Sequence, residues 1–193
     1  MTVLASGSAI RRALLEGVGL AFTVERPIVD EPTLKRDFAG TTEAMAAMLA
    51  EAKALEISIR SPGEWVIGSD SIAECRGVQF DKPADRAQAA EHLRFFSEKA
   101  LSLVSAVVVA RDGVADWTQV DRTRLWVRKL SDAFIEEYLD AEWPEVGHCV
   151  GVFRMEGRGA TLFERTEGDY FTVLGLPLLP LLGALRERGA MTS

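Results

Sequence analysis

The chain begins with TVLASGSAIRRALLEGVG, residues 2–19, and this stretch decides the fold class. Thr2–Ala5 is a short apolar run that predicts a strand, and Ser6–Ser8 consists of small residues that predict a turn. From Ala9 to Val18 the apolar residues recur at helical spacing, and Gly19 follows where a helix would end. A strand, a turn and a helix in this order are typical of an α/β protein.

The rest of the chain continues this alternation, without an internal repeat or an obvious linker. The predicted helices are Thr42–Ile57 with Thr42 as its cap, Asp85–Ser97, Ser131–Ala141 with a serine cap, and a last helix after Pro177. The predicted strands are Trp65–Asp70, Val78–Phe80, Leu103–Ala110, Thr123–Val127, and a closing pair of Leu162–Glu164 with Phe171–Val173. A chain of 193 residues has the ordinary size of one domain, so we expect a single domain over residues 1–193.

Composition and charge exclude several classes of protein. The chain is 48% hydrophobic and 26% charged, which is typical of a globular protein and excludes a disordered or fibrous one. Its net charge of -7 argues against general nucleic-acid binding, which needs a basic surface. The most apolar stretch, Leu174 to Leu185, is too short to cross a membrane and contains two prolines. We therefore expect a cytoplasmic protein with no nucleic-acid or membrane partner, and reduced thiols at Cys75 and Cys149.

The turn at Ser6–Ser8 and the arginines after it form the first candidate site. A loop of small residues that opens a helix presents free backbone N–H groups and the positive end of the helix dipole, which suits an anion. Arg11 and Arg12 add donors that match phosphate oxygens. The same pattern is typical of a serine-capped helix with two solvated arginines, and taken alone it favours that second interpretation.

Three acidic residues and two lysines are further candidates. Asp30 and Glu31 lie in a predicted loop, where carboxylates either hold a hard divalent cation or simply face solvent. Asp70 ends a predicted apolar strand, where α/β proteins often carry catalytic groups, although an aspartate there can also form a turn. Lys53 lies at the edge of the apolar stripe of its helix, and Lys82 lies in a predicted loop. Lys53 could lie on the rim of a cleft or be solvated, whereas Lys82 alone would be interpreted as part of an ordinary surface loop.

The candidate residues fall within an ordered set of short motifs. In chain order these are Leu4–Arg12 (LASGSAIRR), Val29–Glu31 (VDE), Glu51–Ala54 (EAKA), Ile67–Asp70 (IGSD), Asp81–Pro83 (DKP), Glu156–Ala160 (EGRGA) and Val173–Pro177 (VLGLP). Each motif is weak alone, but the ordered set resembles the Maf family of nucleoside triphosphate pyrophosphatases, once called septum formation inhibitors. The resemblance covers Leu4 to Leu185.

This resemblance implies a fold and a reaction. The implied fold is the Maf/Ham1-like α/β architecture, an elongated mixed β-sheet in two lobes with a central cleft. The implied reaction is attack of water on the α-phosphate of a nucleoside triphosphate, which releases the monophosphate and pyrophosphate. The protein would then be a hydrolase of phosphoric anhydrides. The resemblance also implies Mg²⁺ or Mn²⁺ as the cofactor and a homodimer as the assembly.

Residue roles also follow from the resemblance. The catalytic set that it implies consists of Asp70, Lys82, Lys53 and Glu31. Asp70 is expected to be the general base that deprotonates the attacking water, and Asp70 and Glu31 are expected to hold the metal. The triphosphate is expected to bind Ser6, Arg11 and Arg12.

Within the family, the sequence resembles the branch assigned to 7-methyl-GTP. That branch has Gly-Ser-Asp and Glu-Gly motifs, as this chain has around Asp70 and Glu156. The expected specificity positions are Ile10, Ser71 and Glu156. For Glu156 the reason is chemical, since a carboxylate can accept hydrogen bonds from the N–H groups of guanine. Two alternatives stay open. One is a pyrophosphatase that prefers dTTP or UTP, and the other is a non-catalytic nucleotide-binding regulator of cell division.

Overall fold

The computed structural model describes residues 1–192, so Ser193, the last residue of the predicted domain, lies outside the described part. Within that part, the centre is one mixed sheet of seven strands. The strands are β1 (Thr2–Ala5), β2 (Phe22–Glu25), β3 (Trp65–Cys75), β4 (Val78–Phe80), β5 (Ala100–Arg111), β6 (Val114–Val127) and β7 (Phe163–Glu167). Their order is β2-β1-β3-β5-β6-β7, and β4 pairs with β3. β1 is parallel to both neighbours, and the remaining pairs are antiparallel, so the predicted mixed α/β sheet is confirmed.

Seven α-helices and two 3-10 turns surround the sheet over residues 1–192. The helices are α1 (Ala9–Gly17), α2 (Glu31–Arg36), α3 (Thr42–Arg60), α4 (Arg86–Phe96), α5 (Asp132–Glu142), α6 (Tyr170–Val173) and α7 (Leu178–Glu187). The 3-10 turns are Glu145–His148 and Arg158–Leu162. α1 to α6 each begin after a side chain that accepts a hydrogen bond from a backbone N–H of the first turn, namely Ser8, Asp30, Thr41, Asp85, Ser131 and Asp169. In this described part, no helix has the length and apolar character that a membrane span requires.

One edge of β3 is interrupted in the middle. β5 pairs along the whole of the opposite edge, from Val66 to Cys75. On the interrupted edge β1 pairs with the segment 65–68 and β4 pairs with the segment 73–75. Among the described residues, no strand pairs with residues 69–72 on that edge, and we call this four-residue interruption the edge gap.

The chain leaves both flanking strands toward the edge gap. β1 is parallel to β3 and ends with Ala5 opposite Gly68, so the next residue, Ser6, stands at one side of the gap. β4 is antiparallel and ends with Phe80 opposite Ala73, so the loop that contains Lys82 starts at the other side. The topology therefore brings two loops from distant parts of the sequence to the same opening.

The edge gap lies between two lobes with separate hydrophobic cores. In the first lobe, α3 packs on one face of the sheet around Leu49, and α1 and α7 pack on the other face around Leu15 and Leu181. In the second lobe, α4, α5 and the 3-10 turns enclose a cluster around Phe96 and Leu139. β3, β5 and β6 run through both lobes, which gives a mixed sheet shared by two lobes, in agreement with the α/β architecture that the family resemblance implied.

α3 approaches β3 closely at Gly68. A Cβ atom added to Gly68 would lie 2.3 Å from the carbonyl oxygen of Ala50 and 2.7 Å from the Cβ of Ala54. Only a residue without a side chain permits this approach. Because side chains alternate along a strand, Asp70 lies on the same face of β3 as Gly68, and the close packing brings Lys53 of α3 over it.

The structure corrects two expectations about the candidate site. β3 continues five residues past Asp70 to Cys75, so Asp70 lies within the strand and not at its end. The Gly-Ser-Asp sequence is typical of a turn, but pairing with β5 along the whole of β3 overrides that local preference. Glu31 is the first residue of α2 and not part of a loop, because Asp30 caps a short helix there.

Two further expectations are wrong. Thr41 caps α3, and Thr42 is its first helical residue. Phe171–Val173 belongs to the helical turn α6, because Asp169 caps it, and does not pair with the segment 162–164. The strand that includes Phe163 pairs with β6 instead.

Candidate active site

The centre of the edge gap holds a lysine between two carboxylates. Lys53 Nζ donates to Asp70 Oδ1 at 2.6 Å and lies 2.9 Å from Glu31 Oε1. Lys53 and Asp70 are 8% and 7% exposed, so of the two alternatives left open for Lys53 the solvated one is excluded. Three of the four predicted catalytic residues therefore lie together, although they come from α2, α3 and β3.

α2 connects this centre to the second side of the gap. Glu31 stands at the start of α2, and Lys35, one turn later, forms an ion pair with Asp81 in the loop after β4. Asp81 precedes Lys82, the fourth predicted catalytic residue, whose side chain is exposed. The contact between Lys35 and Asp81 therefore holds the loop that carries Lys82 beside the helix that carries Glu31.

On the first side of the gap, Ser6 occupies the turn between β1 and α1. Its Oγ accepts hydrogen bonds from the backbone N–H of Ser8 at 3.2 Å and from Arg11 Nη1 at 3.3 Å. Ser8 caps α1, so the free N–H groups of the first helical turn point toward the same side. Because both acceptor positions of the Ser6 hydroxyl are used, its own hydrogen is left to be donated.

Arg11 is anchored by the protein. Its Nε donates to the carbonyl oxygen of Gly175 at 2.8 Å, and Nη1 donates to the carbonyl oxygen of Ser69 at 3.0 Å. Its Nη2 donates to Ser71 Oγ at 2.9 Å. Burial lowers the pKa of Arg11, and the negative charges of Asp70 and Glu31 oppose that change. The guanidinium thus lies within the electrostatic reach of the two carboxylates.

Ser71 lies on the opposite face of β3 from Asp70. Its Oγ is 2.8 Å from Ser105 Oγ and 3.4 Å from the carbonyl oxygen of Gly175. Ser69, on the same face, donates to that carbonyl at 3.1 Å. The predicted specificity position at Ser71 therefore belongs to a buried polar network and does not adjoin the Asp70 carboxylate.

The remaining predicted residues are not in contact with this centre. Arg12 pairs with Glu16 on the exposed side of α1 at 2.7 Å, and Ile10 is half-buried in the first turn of the same helix. Glu156 is exposed, in the segment before the second 3-10 turn.

Cys149 carries a thiol whose pKa is shifted by its surroundings. Burial and, to a smaller extent, the carboxylate of Glu156 raise the pKa of this thiol to about 11, against the opposing effect of the Lys82 ammonium. The charges of Glu156 and Lys82 thus act on the Cys149 thiol with opposite sign.

Sequence reasoning missed the role of Gly175. Its φ of +94° lies in the left-handed region, and a Cβ there would lie 3.1 Å from Ser71 Oγ. The carbonyl of Gly175 accepts from the side chains of Arg11, Ser69 and Ser71. The Val-Leu-Gly-Leu-Pro motif did mark this position, but periodicity and charge could not indicate what the glycine contacts.

The acidic pair also defines where a metal could bind. Over residues 1–192 there is no group of three or more His, Cys, Asp and Glu side chains arranged to hold a metal ion. Asp70 and Glu31 are nevertheless both within hydrogen-bond distance of the same ammonium group. The protein thus offers two carboxylates, and further ligands would have to come from water or substrate.

Several known proteins are similar to this chain over nearly its whole length. A nucleoside triphosphate pyrophosphatase of Paramagnetospirillum magneticum is 44% identical over 192 residues, which cover 98% of this chain and 99% of the relative. A 7-methyl-GTP pyrophosphatase of Rhizobium meliloti is 43% identical, with 99% of this chain and 98% of the relative covered. Among solved structures, a dITP/XTP pyrophosphatase of Mycobacterium abscessus matches with a TM-score of 0.47 and 17% identity, over 97% of this chain and 98% of the other.

The family to which the sequence matches is the one that the motifs indicated. Residues 1–188 match the family described as Maf-like protein, which covers every motif quoted above. The hydrolase class expected from the resemblance agrees with the names of the two curated relatives. With a family match over nearly its whole length and relatives above 40% identity, the chain belongs to the Maf family.

Proposed function

We propose that the chain is a nucleoside triphosphate pyrophosphatase whose reaction takes place at Asp70 in the edge gap. The observation that carries the proposal is the group of buried Asp70, buried Lys53 and half-buried Glu31, which lies where the loops of Ser6 and Lys82 meet. Membership of the Maf family and the names of the relatives support the same reaction. A substrate in this gap can touch both lobes.

The phosphates would bind along the first-lobe side and across to Lys82. A triphosphate is a polyanion, and the Ser6 hydroxyl, the N-terminus of α1 and the Lys82 ammonium all favour negative charge. Arg12 can join them by leaving Glu16, because an exposed pair one helical turn apart contributes only about 0.3–0.5 kcal/mol. These groups surround the gap in a protein whose net charge is -7, so the positive charge is local.

The acidic pair fits a divalent cation, Mg²⁺ or Mn²⁺. Mg²⁺ is commonly held by one or two carboxylates together with substrate phosphates and water, and Asp70 and Glu31 provide two carboxylates close together. When bound, the cation would supply charge neutralisation to the phosphate oxygens. Asp70 and Glu31 are the residues that would hold it.

Asp70 would act as the general base. Its Oδ1 accepts the hydrogen bond from Lys53, so Oδ2 is left to accept a proton from water. The oxygen of that water forms a bond to the α-phosphorus, the bond from this phosphorus to the bridging oxygen breaks, and pyrophosphate leaves. Lys53 fixes the orientation of the carboxylate, because its ammonium is buried and is itself held by Glu31.

For the base we propose a 7-methyl-GTP-like nucleotide. Glu156 is exposed just before the second 3-10 turn, and its carboxylate would accept from the N–H groups of a guanine-like base. Ile10 and Ser71 would shape the first-lobe side. The name of the Rhizobium meliloti relative supports this choice.

The test is pyrophosphate release with Mg²⁺ or Mn²⁺ from 7-methyl-GTP, GTP, dTTP, UTP, CTP and pseudo-UTP. We expect turnover that prefers 7-methyl-GTP and is abolished in Asp70→Asn, which keeps the size of the side chain but cannot accept the proton. A preference for dTTP or UTP would overturn the role of Glu156 and leave the enzyme in place. Nucleotide binding without turnover of any substrate would instead establish a non-catalytic regulator.

A further inference from the structure

Arg11 connects three segments that are far apart in the sequence. Its guanidinium donates to Ser6 in the turn before α1, to Ser69 and Ser71 in the edge gap, and to Gly175 in the turn after α6. These four hydrogen bonds use four of the five N–H groups that an arginine side chain carries. Little donor capacity is left for a phosphate.

The bond to Ser69 has a direct relation to the proposed base. Its acceptor is the carbonyl oxygen of the peptide unit that joins Ser69 to Asp70. This carbonyl lies beside the edge gap, where β1 has already ended and β4 has not yet begun. Arg11 thus supplies the kind of hydrogen bond that a neighbouring strand supplies elsewhere in the sheet.

The turn at Gly175 also holds the guanidinium of Arg11 in place. The carbonyl of Gly175 accepts from Arg11 Nε and also from Ser69 Oγ, and both bonds are at or below 3.1 Å. Ser71 is held in turn by Ser105, which is fully buried and donates to the carbonyl of Thr172. The guanidinium is therefore bonded by a rigid set of acceptors in a fork geometry that a lysine cannot reproduce.

From these contacts we infer that Arg11 is a positioning residue, which holds the open segment of β3 and so the backbone of Asp70, and is not a ligand of the triphosphate. This inference rests on the proposed function, because it assigns Arg11 to the attack at Asp70. It also revises the sequence-based expectation that Arg11 binds phosphate. Loss of the hydrogen bonds of the Arg11 guanidinium would let the 69–72 segment move, while the phosphate-binding groups stay in place.

The two roles predict different kinetics. A phosphate ligand acts on ground-state binding, so its loss raises KM and the dissociation constant of the nucleotide. A positioning residue acts on the alignment of the base with the reacting atoms, and a misplacement of about 1 Å lowers kcat by about 100-fold. Lysine is a good phosphate ligand, so Arg11→Lys would preserve binding in the first role and would not restore alignment in the second.

The experiment compares Arg11→Lys and Arg11→Gln with the wild-type chain. Arg94→Lys is the matched control, since Arg94 is an exposed arginine of α4 that pairs with Asp132 in the second lobe. Measured quantities are kcat and KM for pyrophosphate release, and the dissociation constant of an α,β-methylene nucleotide, which cannot be cleaved at the α-phosphate. Circular dichroism checks that each variant is folded.

We expect both Arg11 variants to lose about 100-fold in kcat, while KM and the dissociation constant stay within about threefold of the wild type. Near-normal activity of Arg11→Lys, or a tenfold weaker dissociation constant in Arg11→Gln, would overturn the inference. If both variants fail to fold, Ser71→Ala removes one acceptor and keeps the charge of Arg11. An unchanged kcat in that variant would overturn the inference, and a lower kcat with unchanged nucleotide binding would support it. A wild-type chain that binds the analogue but releases no pyrophosphate would refute the proposed function itself.

Discussion

Substitution of Gly68 by alanine tests whether the packing of α3 on β3 sets the geometry of the site. The added Cβ would lie 2.3 Å from the carbonyl oxygen of Ala50, so α3 would have to move by about 1 Å to reach ordinary van der Waals distance. That oxygen is part of a helix backbone and cannot rotate away. The hydrogen bond from Lys53 to Asp70, now 2.6 Å, would lengthen by a similar amount.

Two effects should follow together. Overpacking of a buried contact lowers the free energy of unfolding by about 1–3 kcal/mol. A 1 Å displacement of Lys53 misorients the base, which lowers kcat by about 100-fold. Unfolding in urea gives the first quantity, and pyrophosphate release from the preferred nucleotide gives the second.

Gly183→Ala is the matched control for this experiment. Gly183 lies inside α7, and a Cβ added there meets no atom within 4 Å. The substitution should therefore raise the free energy of unfolding by about 1 kcal/mol through helix propensity, with no change in kcat. If Gly68→Ala is as stable and as active as the wild type, α3 does not hold Lys53 over Asp70 in the way described.

Three other predictions concern different parts of the molecule. At pH 8 the raised pKa of Cys149, about 11, should make its alkylation by iodoacetamide about 100-fold slower in the folded than in the urea-unfolded chain, and the rate should rise toward pH 11. Mass spectrometry of the labelled peptide measures this, and equal rates in both states would contradict it. Leu139→Ala should lower the free energy of unfolding by about 2–5 kcal/mol because Leu139 is fully buried, whereas Val114→Ala, at a position that is 65% exposed, should change it little. Chelation with EDTA should abolish pyrophosphate release but leave the melting temperature nearly unchanged, because Lys53 already forms ion pairs with both carboxylates. Full activity in EDTA would exclude the metal role of Asp70 and Glu31.

The sequence predicted most of the helices and strands, but not where the elements that form the candidate site begin and end. Helices with strong caps were located well, as at Asp85 and Ser131, because a cap is a local interaction. The family was confirmed because its motifs are spread along the whole chain. The continuation of β3 past Asp70 was missed, since it depends on pairing with β5, which lies about thirty residues further along the chain.

The candidate site was predicted as a set of residues and not as an arrangement. Charge and motif indicated Lys53, Asp70 and Glu31, and the structure brings these together. Nothing in the sequence showed that Arg11 would be bonded to backbone carbonyls while Arg12, its neighbour, faces outward. Adjacent arginines on a helix point about 100° apart, and only the tertiary fold decides which one is buried.

The edge gap also bears on how the chain avoids aggregation. An unpaired strand edge is a template to which a strand of another molecule can add, and proteins usually protect such edges with charge or with covering segments. Here the open segment is four residues long, is bounded by β1 and β4, and has Arg11 bonded to its first carbonyl. A β-strand of another molecule would collide with β1 and β4 before it could pair with the open segment of β3. The open segment is therefore too short for another polypeptide to pair with, so protection against misassembly is built into the same feature that holds the proposed reaction site.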